Sequence, residues 1–328
     1  MLIGLTYDLR SEYLAKGFSE EDVAEFDSEQ TIDGIEAAIQ KNGYKTERIG
    51  NAFSLIEKLT AGKRWDLVFN FAEGIKGRCR ESQVPAILEL YGIGYTFSDP
   101  FVCALTLDKA MAKRLVRQAS LLTADFAVIE DISQLSELKL KFPLFVKPLA
   151  EGTGKGIDRN SRVDSAKQLE DVCKKIIERF KQPALVEEYL SGREFTTAVL
   201  GNGANAYALG TMEFTISKDA PSPDYSYKVK ENWRQFVKYF PMPKDQSRKE
   251  VEELAVESFR VLECRDAARV DIRLDRNNRP AFMEINPLPG MNPTHSDLPF
   301  IAYQEGWTFE QLIGTIIKNA LERLPQSF

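Results

Sequence analysis

At 328 residues the chain exceeds what one ordinary core serves, so two or three compact units are expected. Apolar residues make up 43% and charged residues 28%, the balance of a soluble globular enzyme, which excludes a disordered chain. A formal net charge of −6 argues against a nucleic-acid partner, four scattered cysteines against a disulfide framework or zinc knuckle, and the single histidine excludes any multi-histidine centre.

The N-terminal MLIGLTYDLRSEYL starts apolar, but Asp8, Arg10 and Glu12 interrupt it where a signal peptide needs an unbroken apolar core. No run is long enough to span a bilayer, so the expected location is cytoplasmic, with no membrane partner. Leu2 to Thr6 reads as a buried strand, and Ile32, Ile35 and Ile39 give Thr31 to Asn42 a helical period. Gly43 ends that helix. Tyr44 to Ile49 returns as a strand, Phe53 to Leu59 as a helix and Trp65 to Phe71 as a further strand, a βαβαβ order that predicts a parallel sheet with helices on its faces. The loop Gly74 to Arg78 precedes a helix at Val84 to Tyr91. No G-x-G-x-x-G follows the first strand, so a dehydrogenase-type dinucleotide site lacks its fingerprint.

Pro100 and the Thr96 to Asp99 turn suggest a boundary between Tyr95 and Asp108, after which Thr106 or Asp108 caps a helix at Lys109 to Gln118. A second unit follows: a strand at Phe126 to Ile129, a helix around Ser133 to Lys141, and a strand at Pro143 to Pro148 that ends on Lys147. Gly152, Gly154 and Gly156 then let the backbone fold tightly with its N–H groups inward, as an anion nest or as a plain flexible turn. The P-loop spacing is absent. Ala166 to Lys181 is an amphipathic helix, and Pro183 to Leu190 an apolar strand ending in Glu187, Glu188 and Tyr189. Strands are expected at Phe195 to Leu200 and Ala206 to Met212, and Ser217 to Gln235, aperiodic and rich in lysine and aromatics, reads as a mobile loop over a site. Helices at Lys249 to Leu262 and Thr308 to Leu324 complete the chain.

Between those helices lie two short strands, Arg269 to Leu274 and Pro280 to Ile285, joined by the polar turn Asp275 to Asn278. Alternation puts Arg269, Asp271 and Arg273 on one face of the first strand, and Glu284 and Asn286 on one face of the second. Such oxygen donors suit Mg²⁺, which sits on one or two carboxylates plus substrate phosphates. The same charges would also serve on a solvated edge strand.

Taken in order, Lys109 after an aspartate, Lys147-Pro148 before a glycine loop, Glu187-Glu188-Tyr189-Leu190 with Gly192 and Glu194, Arg269-Val270-Asp271, Glu284-Ile285-Asn286 and Pro289-Gly290-Met291 resemble the ATP-grasp enzymes, and within them the D-alanine–D-alanine ligases. The resemblance covers roughly residues 65 to 300. It implies an α/β (α+β) ATP-grasp fold of three domains, with an N-terminal doubly wound parallel sheet and ATP held between two sheets. The expected divisions are 1–105, an N-terminal Rossmann-like domain; 106–190, the central lid; and 191–328, the catalytic domain. The resemblance also implies an ATP- and Mg²⁺-dependent ligase that joins a carboxylate to an amine through an acyl phosphate, using amino-acid substrates. Lys109 and Lys147 would contact nucleotide phosphates, and Lys230 matches a nucleotide-binding lysine of the family. The loop from Gly152 to Gly156 would close over the γ-phosphate, with Thr153 replacing the usual serine. Glu187, Glu188, Tyr189 and Leu190 would be the adenine hinge, and Glu194 would take the ribose. Asp271, Glu284 and Asn286 would hold two Mg²⁺ ions, or Mn²⁺ in their place. Arg269 would stabilise the tetrahedral intermediate, and Gly290 and Ser296 would bind the second substrate's carboxylate, with His295 beside them. Family members are often dimers, so a homodimer is the oligomer to expect.

The chain departs from the family at its N-terminus. Tyr7-Asp8-Leu9-Arg10 and a longer insertion stand where a Gly-Gly and a serine-glutamate anchor the first substrate, leaving Glu25 or Asp27 as substitutes. Asn70 to Glu81 replaces the family's His-Gly and Gly-Glu-Asp-Gly pattern, and Glu231 stands where a tyrosine is usual. Two other readings are a ligase of the same fold for other amino or carboxylic acids in secondary metabolism, and an ATP-binding regulatory protein without turnover. The complete Arg269, Asp271, Glu284 and Asn286 set speaks against the latter, since nucleotide binding alone does not need the arginine.

Overall fold

The apolar segment Leu2–Thr6 (β1) is buried along nearly its whole length, as the central strand of a parallel sheet must be. In the computed structural model, which describes residues 1–324, it lies between Lys45–Gly50 (β2) and Leu67–Asn70 (β3), parallel to both. The connecting helices Glu29–Lys41 and Ala52–Thr60 start where Ser28 and Asn51 side chains accept from backbone N–H groups of the first turn. The βαβαβ expectation is therefore met.

A second, four-stranded sheet contains Phe126–Ile129 (β4), Leu144–Pro148 (β5), Arg162–Val163 (β6) and Ala184–Glu188 (β7), in the order β4-β7-β5-β6. The helix Ala166–Phe180 covers one face through Leu169, Cys173 and Ile176. The third sheet is five-stranded and antiparallel: Glu194–Asn202 (β8), Tyr207–Ile216 (β9), Val237–Pro241 (β10), Arg265–Leu274 (β11) and Pro280–Asn286 (β12), in the order β10-β9-β8-β11-β12. The helix Gln246–Val261 packs on it. Along β11, Val270, Ile272 and Leu274 are buried, and Arg269, Asp271 and Arg273 alternate with them on the other face.

Four sequence expectations change. The stretch read as a boundary before Asp108 contains a helix, Pro100–Leu107, capped by the Asp99 side chain. It has no amphipathic period because it is buried on nearly all sides, with Val102 and Leu105 in the core under the five-stranded sheet. The expected helix at Ser133 to Lys141 is a single 3₁₀ segment, Ile132–Glu137, started by an Asp131–Gln134 capping box. The loop from Ser217 to Gln235 folds into two short helices, Tyr227–Glu231 and Trp233–Phe236. The helix Asp297–Gln304, right after the glycine-containing loop, was not anticipated.

Asp108 caps Lys109–Gln118 by accepting from Met111 N. That helix joins the core of the five-stranded sheet through Ala112 and Val116, so Lys109 enters the site from beneath β12 while Lys147 enters from β5. The N-terminal unit does not stand apart: Ile32, Ile35 and Ile39 share a core with Leu312, Ile313 and Ile316 of the final helix and with Ala198 and Leu200 of β8. Among the described residues no helix is long and apolar enough to cross a membrane.

Candidate active site

The four-stranded and five-stranded sheets, with segments of the N-terminal unit outside its strands, line one cavity of about 490 Å³. Every candidate site residue named from the sequence lines it except Gly156, whose backbone instead packs on Pro148 and Phe180.

Glu187, near the end of β7, is 6% exposed. One carboxylate oxygen is 2.6 Å from Lys113 Nζ and the other 3.0 Å from Lys147 Nζ. Burial alone would raise the Glu187 pKa, but the two ammonium groups outweigh it and bring it down to about 2. For Lys113, burial prevails and lowers the pKa; for Lys147, Glu187 and Glu284 overcome burial and raise it. The Glu187 side chain is thus spent on fixing two lysines and is not free to meet an adenine. Of the hinge's backbone donors, Glu188 N already donates to Asp125 O and Tyr189 N to Pro143 O. Lys113 was missed in the sequence, although it lies four residues after Lys109 and so on the same helical face. It also donates to Thr123 Oγ1 at 2.8 Å.

On the hairpin, Asp271 pairs with Glu284, and Arg269 with Asn286, directly across β11 and β12. This register, interrupted by a bulge just after Asp271, gathers the oxygen donors at the end of the sheet. Glu284 lies 3.6 Å from Lys109 Nζ and 3.8 Å from Lys147 Nζ, and these lysines hold its pKa below the usual value despite burial. Arg269 is gripped at 3.0 Å by Asp271 and at 2.6 Å by Asp297, while its Nε is buried and has no hydrogen-bond partner among the described residues. Asp297, on the unanticipated helix, was not singled out in the sequence because it only becomes relevant once that helix docks beside β11.

Further out, Arg273 lies 3.0 Å from Asp224 and 3.4 Å from Glu194, and donates to Tyr189 OH at 3.0 Å. Burial nevertheless raises the Glu194 pKa to about 7. The glycine loop crosses the mouth. Thr153 sits at φ 51° with its Oγ1 buried and without a hydrogen-bond partner among the described residues, and Gly154 O accepts from Tyr227 N at 3.1 Å. The ammonium of Lys230, on the short helix beginning at Tyr227, has no hydrogen-bond or ion-pair partner among the described residues, and burial lowers its pKa. His295 lines the same end; burial, then Lys230 and Arg234, disfavour its charged form.

The N-terminal wall differs from the rest. Glu25 is 3.2 Å from both Arg80 and Lys155, and it lies against the glycine loop: a Cβ added at Gly152 would meet Glu25 Oε1 at 2.2 Å. Asp27 has no ion-pair partner among the described residues, and burial and then Asp8 raise its pKa to about 8. Glu231 is 3.9 Å from Arg10, an exposed contact between the loop bearing Lys230 and the N-terminal insertion. Arg80 and Lys155 were both overlooked. Each is an ordinary surface residue by type, and only folding buries it against Glu25.

Buried donors without partners among the described residues, Thr153 Oγ1 and Arg269 Nε, and the oxygen donors Asp271, Glu284 and Asn286 all belong to the lining of this cavity. The family model for the C-terminal part of D-alanine–D-alanine ligases matches residues 115–318. A Sinorhizobium fredii protein of uncharacterized function, y4sG, is 34% identical over 305 residues, covering 89% of this chain and 87% of that one. The D-alanine–D-alanine ligase of Bordetella petrii is 34% identical over 292 residues, covering 88% of this chain and 82% of that one. Among solved structures, the ATP complex of the Bacillus anthracis D-alanine–D-alanine ligase superposes with a TM-score of 0.74 at 22% identity over 98% of both chains, a likeness of fold. This chain therefore belongs to the D-alanine–D-alanine ligase family of ATP-dependent ligases, built on the ATP-grasp fold.

Proposed function

We propose that the chain activates a substrate carboxylate at the γ-phosphate of ATP and hands the acyl group to an amine. The observation that carries this reading is that two buried donors without a hydrogen-bond partner among the described residues, Thr153 Oγ1 and Arg269 Nε, belong to residues lining one cavity, with the partly buried Lys230 in the same lining. Burying such groups without partners is costly, and an anionic ligand relieves that cost.

Lys109 and Lys147, already ordered by Glu284, Glu187 and the Glu151 carbonyl, would meet the phosphates as preset point charges. Asp271, Glu284 and Asn286 fit Mg²⁺ by donor type and would hold it; bound there, the ion neutralises charge spreading over the transferring phosphoryl group. The substrate carboxylate oxygen attacks the γ-phosphorus as the bond to the β-bridging oxygen breaks, giving an acyl phosphate and ADP. A neutral amine then attacks the acyl carbon, phosphate leaves, and the amine proton is lost to give the amide. Arg269 is aimed by two carboxylates and keeps Nε free, which suits it to the oxyanion of that second step. Gly290 and Ser296, next to Asp297 in the same cavity, would receive the second substrate's carboxylate. The glycine loop and the Tyr227–Glu231 helix, joined through Gly154 and Tyr227, would exclude water from the acyl phosphate.

D-alanine on both sides is the pair to test first. ADP release measured with Mg²⁺ and a panel of D- and L-amino acids, singly and in pairs, is expected to rise with at least one pair. If no carboxylate or amine stimulates ATP turnover, the ligase reading fails.

A further inference from the structure

The segment between β9 and β10, Ser217 to Phe236, lines the cavity through Asp224, Tyr225, Lys230 and Trp233. Within it only Ser222, Asp224, Ser226 and Val229 are buried, and Asp224, 3% exposed, is the one charged group among them. A carboxylate held out of water needs a counter-charge. Arg273, on the cavity face of β11, supplies it: the guanidinium lies 3.0 Å from Asp224 Oδ1, and the Tyr189 hydroxyl donates to the same oxygen at 3.1 Å.

The same guanidinium reaches further. It donates to the Tyr189 hydroxyl at 3.0 Å and, through Nε, to Gly192 O at 3.3 Å, and it lies 3.4 Å from Glu194, its cross-strand neighbour on β8. Its carbon is also 4.9 Å from the centre of the Tyr189 ring, as is that of Arg162. Tyr189 and Gly192 belong to residues 189–193, the link between β7 of the four-stranded sheet and β8 of the five-stranded one. The core beneath β11 is filled from its other face, by Val270, Ile272 and Leu274. Arg273 therefore spends its planar fork on joining the link between the sheets to the segment that bears Lys230. Asp224 lies six positions before Lys230, and the Ser226 side chain, accepting from Val229 N, starts the short helix on which Lys230 sits. The Lys230 ammonium has no partner among the described residues, so its place in the cavity is set by where that helix is held.

We infer that Arg273 is a positioning residue for the nucleotide phosphates: acting through Asp224, it docks the Lys230 helix on the link between the two sheets and so holds the Lys230 charge at the cavity. The inference rests on the ligase reading for the anion that Lys230 meets, and on the Arg273 contacts for the rest.

Affinity for a non-hydrolysable ATP analogue with Mg²⁺ is measured by calorimetry on the full chain, across a double-mutant cycle. Arg273→Lys keeps a charge for Asp224 and Glu194, which preserves the fold, but a point charge cannot serve Asp224, Tyr189 and Gly192 together. Lys230→Met removes the positioned cation itself. Each variant should bind the analogue about tenfold more weakly, the scale of one charged hydrogen bond. The chain carrying both changes should bind within about twofold of Lys230→Met alone, because the displaced helix then has no cation to misplace. Asp224→Asn should reproduce the Arg273→Lys loss, and trypsin should cut both of these variants faster than the parent at Lys218 and Lys228 in the absence of nucleotide. Losses that add in the double variant, or unchanged cleavage in both Arg273→Lys and Asp224→Asn, overturn the inference. ADP release separates it from the ligase reading: a coupled cycle in a protein that no amino acid stimulates upholds the positioning role and removes the ligase, and stimulated turnover with additive losses does the reverse.

Discussion

Replacing Glu187 by Gln tests whether the nucleotide lysines are preset by the protein. The carboxylate holds Lys113 at 2.6 Å and Lys147 at 3.0 Å, and those lysine side chains are 1% and 4% exposed. Removing its charge leaves two ammonium groups buried side by side; breaking one buried pair costs about 3–5 kcal/mol, and here one carboxylate serves two cations. The remaining neighbours, Glu284 at 3.8 Å from Lys147 and Thr123 Oγ1 at 2.8 Å from Lys113, offset part of this, so a loss of about 3 kcal/mol is expected. The pH dependence has a definite sign. The folded pKa of Glu187, about 2, lies below its ordinary value of 4.5, so its stabilisation is present above about pH 4.5 and disappears as the pH falls toward 2. Urea unfolding of parent and variant should therefore show a large difference at pH 7 that shrinks steadily between pH 4.5 and 3. Adding Lys113→Met to the variant should recover part of the stability, because it removes one of the stranded charges. A difference below about 1 kcal/mol at pH 7, or one that is flat with pH, would refute the charge triad.

Glu284→Gln should cut turnover by about 100-fold or more while leaving the circular dichroism spectrum and the unfolding temperature nearly unchanged, since it removes a metal-ligand charge whose lysine contacts are no closer than 3.6 Å. Near-normal ADP release in that variant would sink the metal assignment. Arg269→Lys should lower kcat by about 100-fold with ATP affinity little changed, because it keeps a charge but loses the fork that Asp271 and Asp297 aim; equal losses in ATP binding would show that Arg269 serves the nucleotide. Gly154→Ala places a Cβ 2.8 Å from Tyr227 N at a φ of +69°. It should part the glycine loop from the segment that carries Lys230, raise the KM for ATP, and speed tryptic cleavage at Lys228, Lys230 or Arg234. Unchanged cleavage would mean that the two loops do not hold each other.

The order of lysine, glycine loop, acidic hinge and Arg-Asp…Glu-Asn hairpin was legible in the sequence because each part is local. Period-two alternation put Arg269, Asp271 and Arg273 on one face, and a turn of the right residue types returned Glu284 and Asn286 to meet them. The parallel N-terminal sheet was legible for the same reason, since strand and helix periods read from neighbouring residues. What only the tertiary structure decided was charge accounting. Glu187 became a clamp for lysines rather than a free hinge acid because Lys113, 74 positions earlier, is carried onto it by a helix that packs under β12. Glu25 was drawn to Arg80 and Lys155, 55 and 130 positions later, and Arg269 to Asp297, 28 positions later. Asp27, Glu73 and Glu81 line the cavity with no ion-pair partner among the described residues. Sequence determines which charges exist and which face of a strand or helix they occupy; whether a charge is neutralised or left to a substrate depends on which distant residue the packed core brings within about 4 Å, where burial makes the pairing decisive.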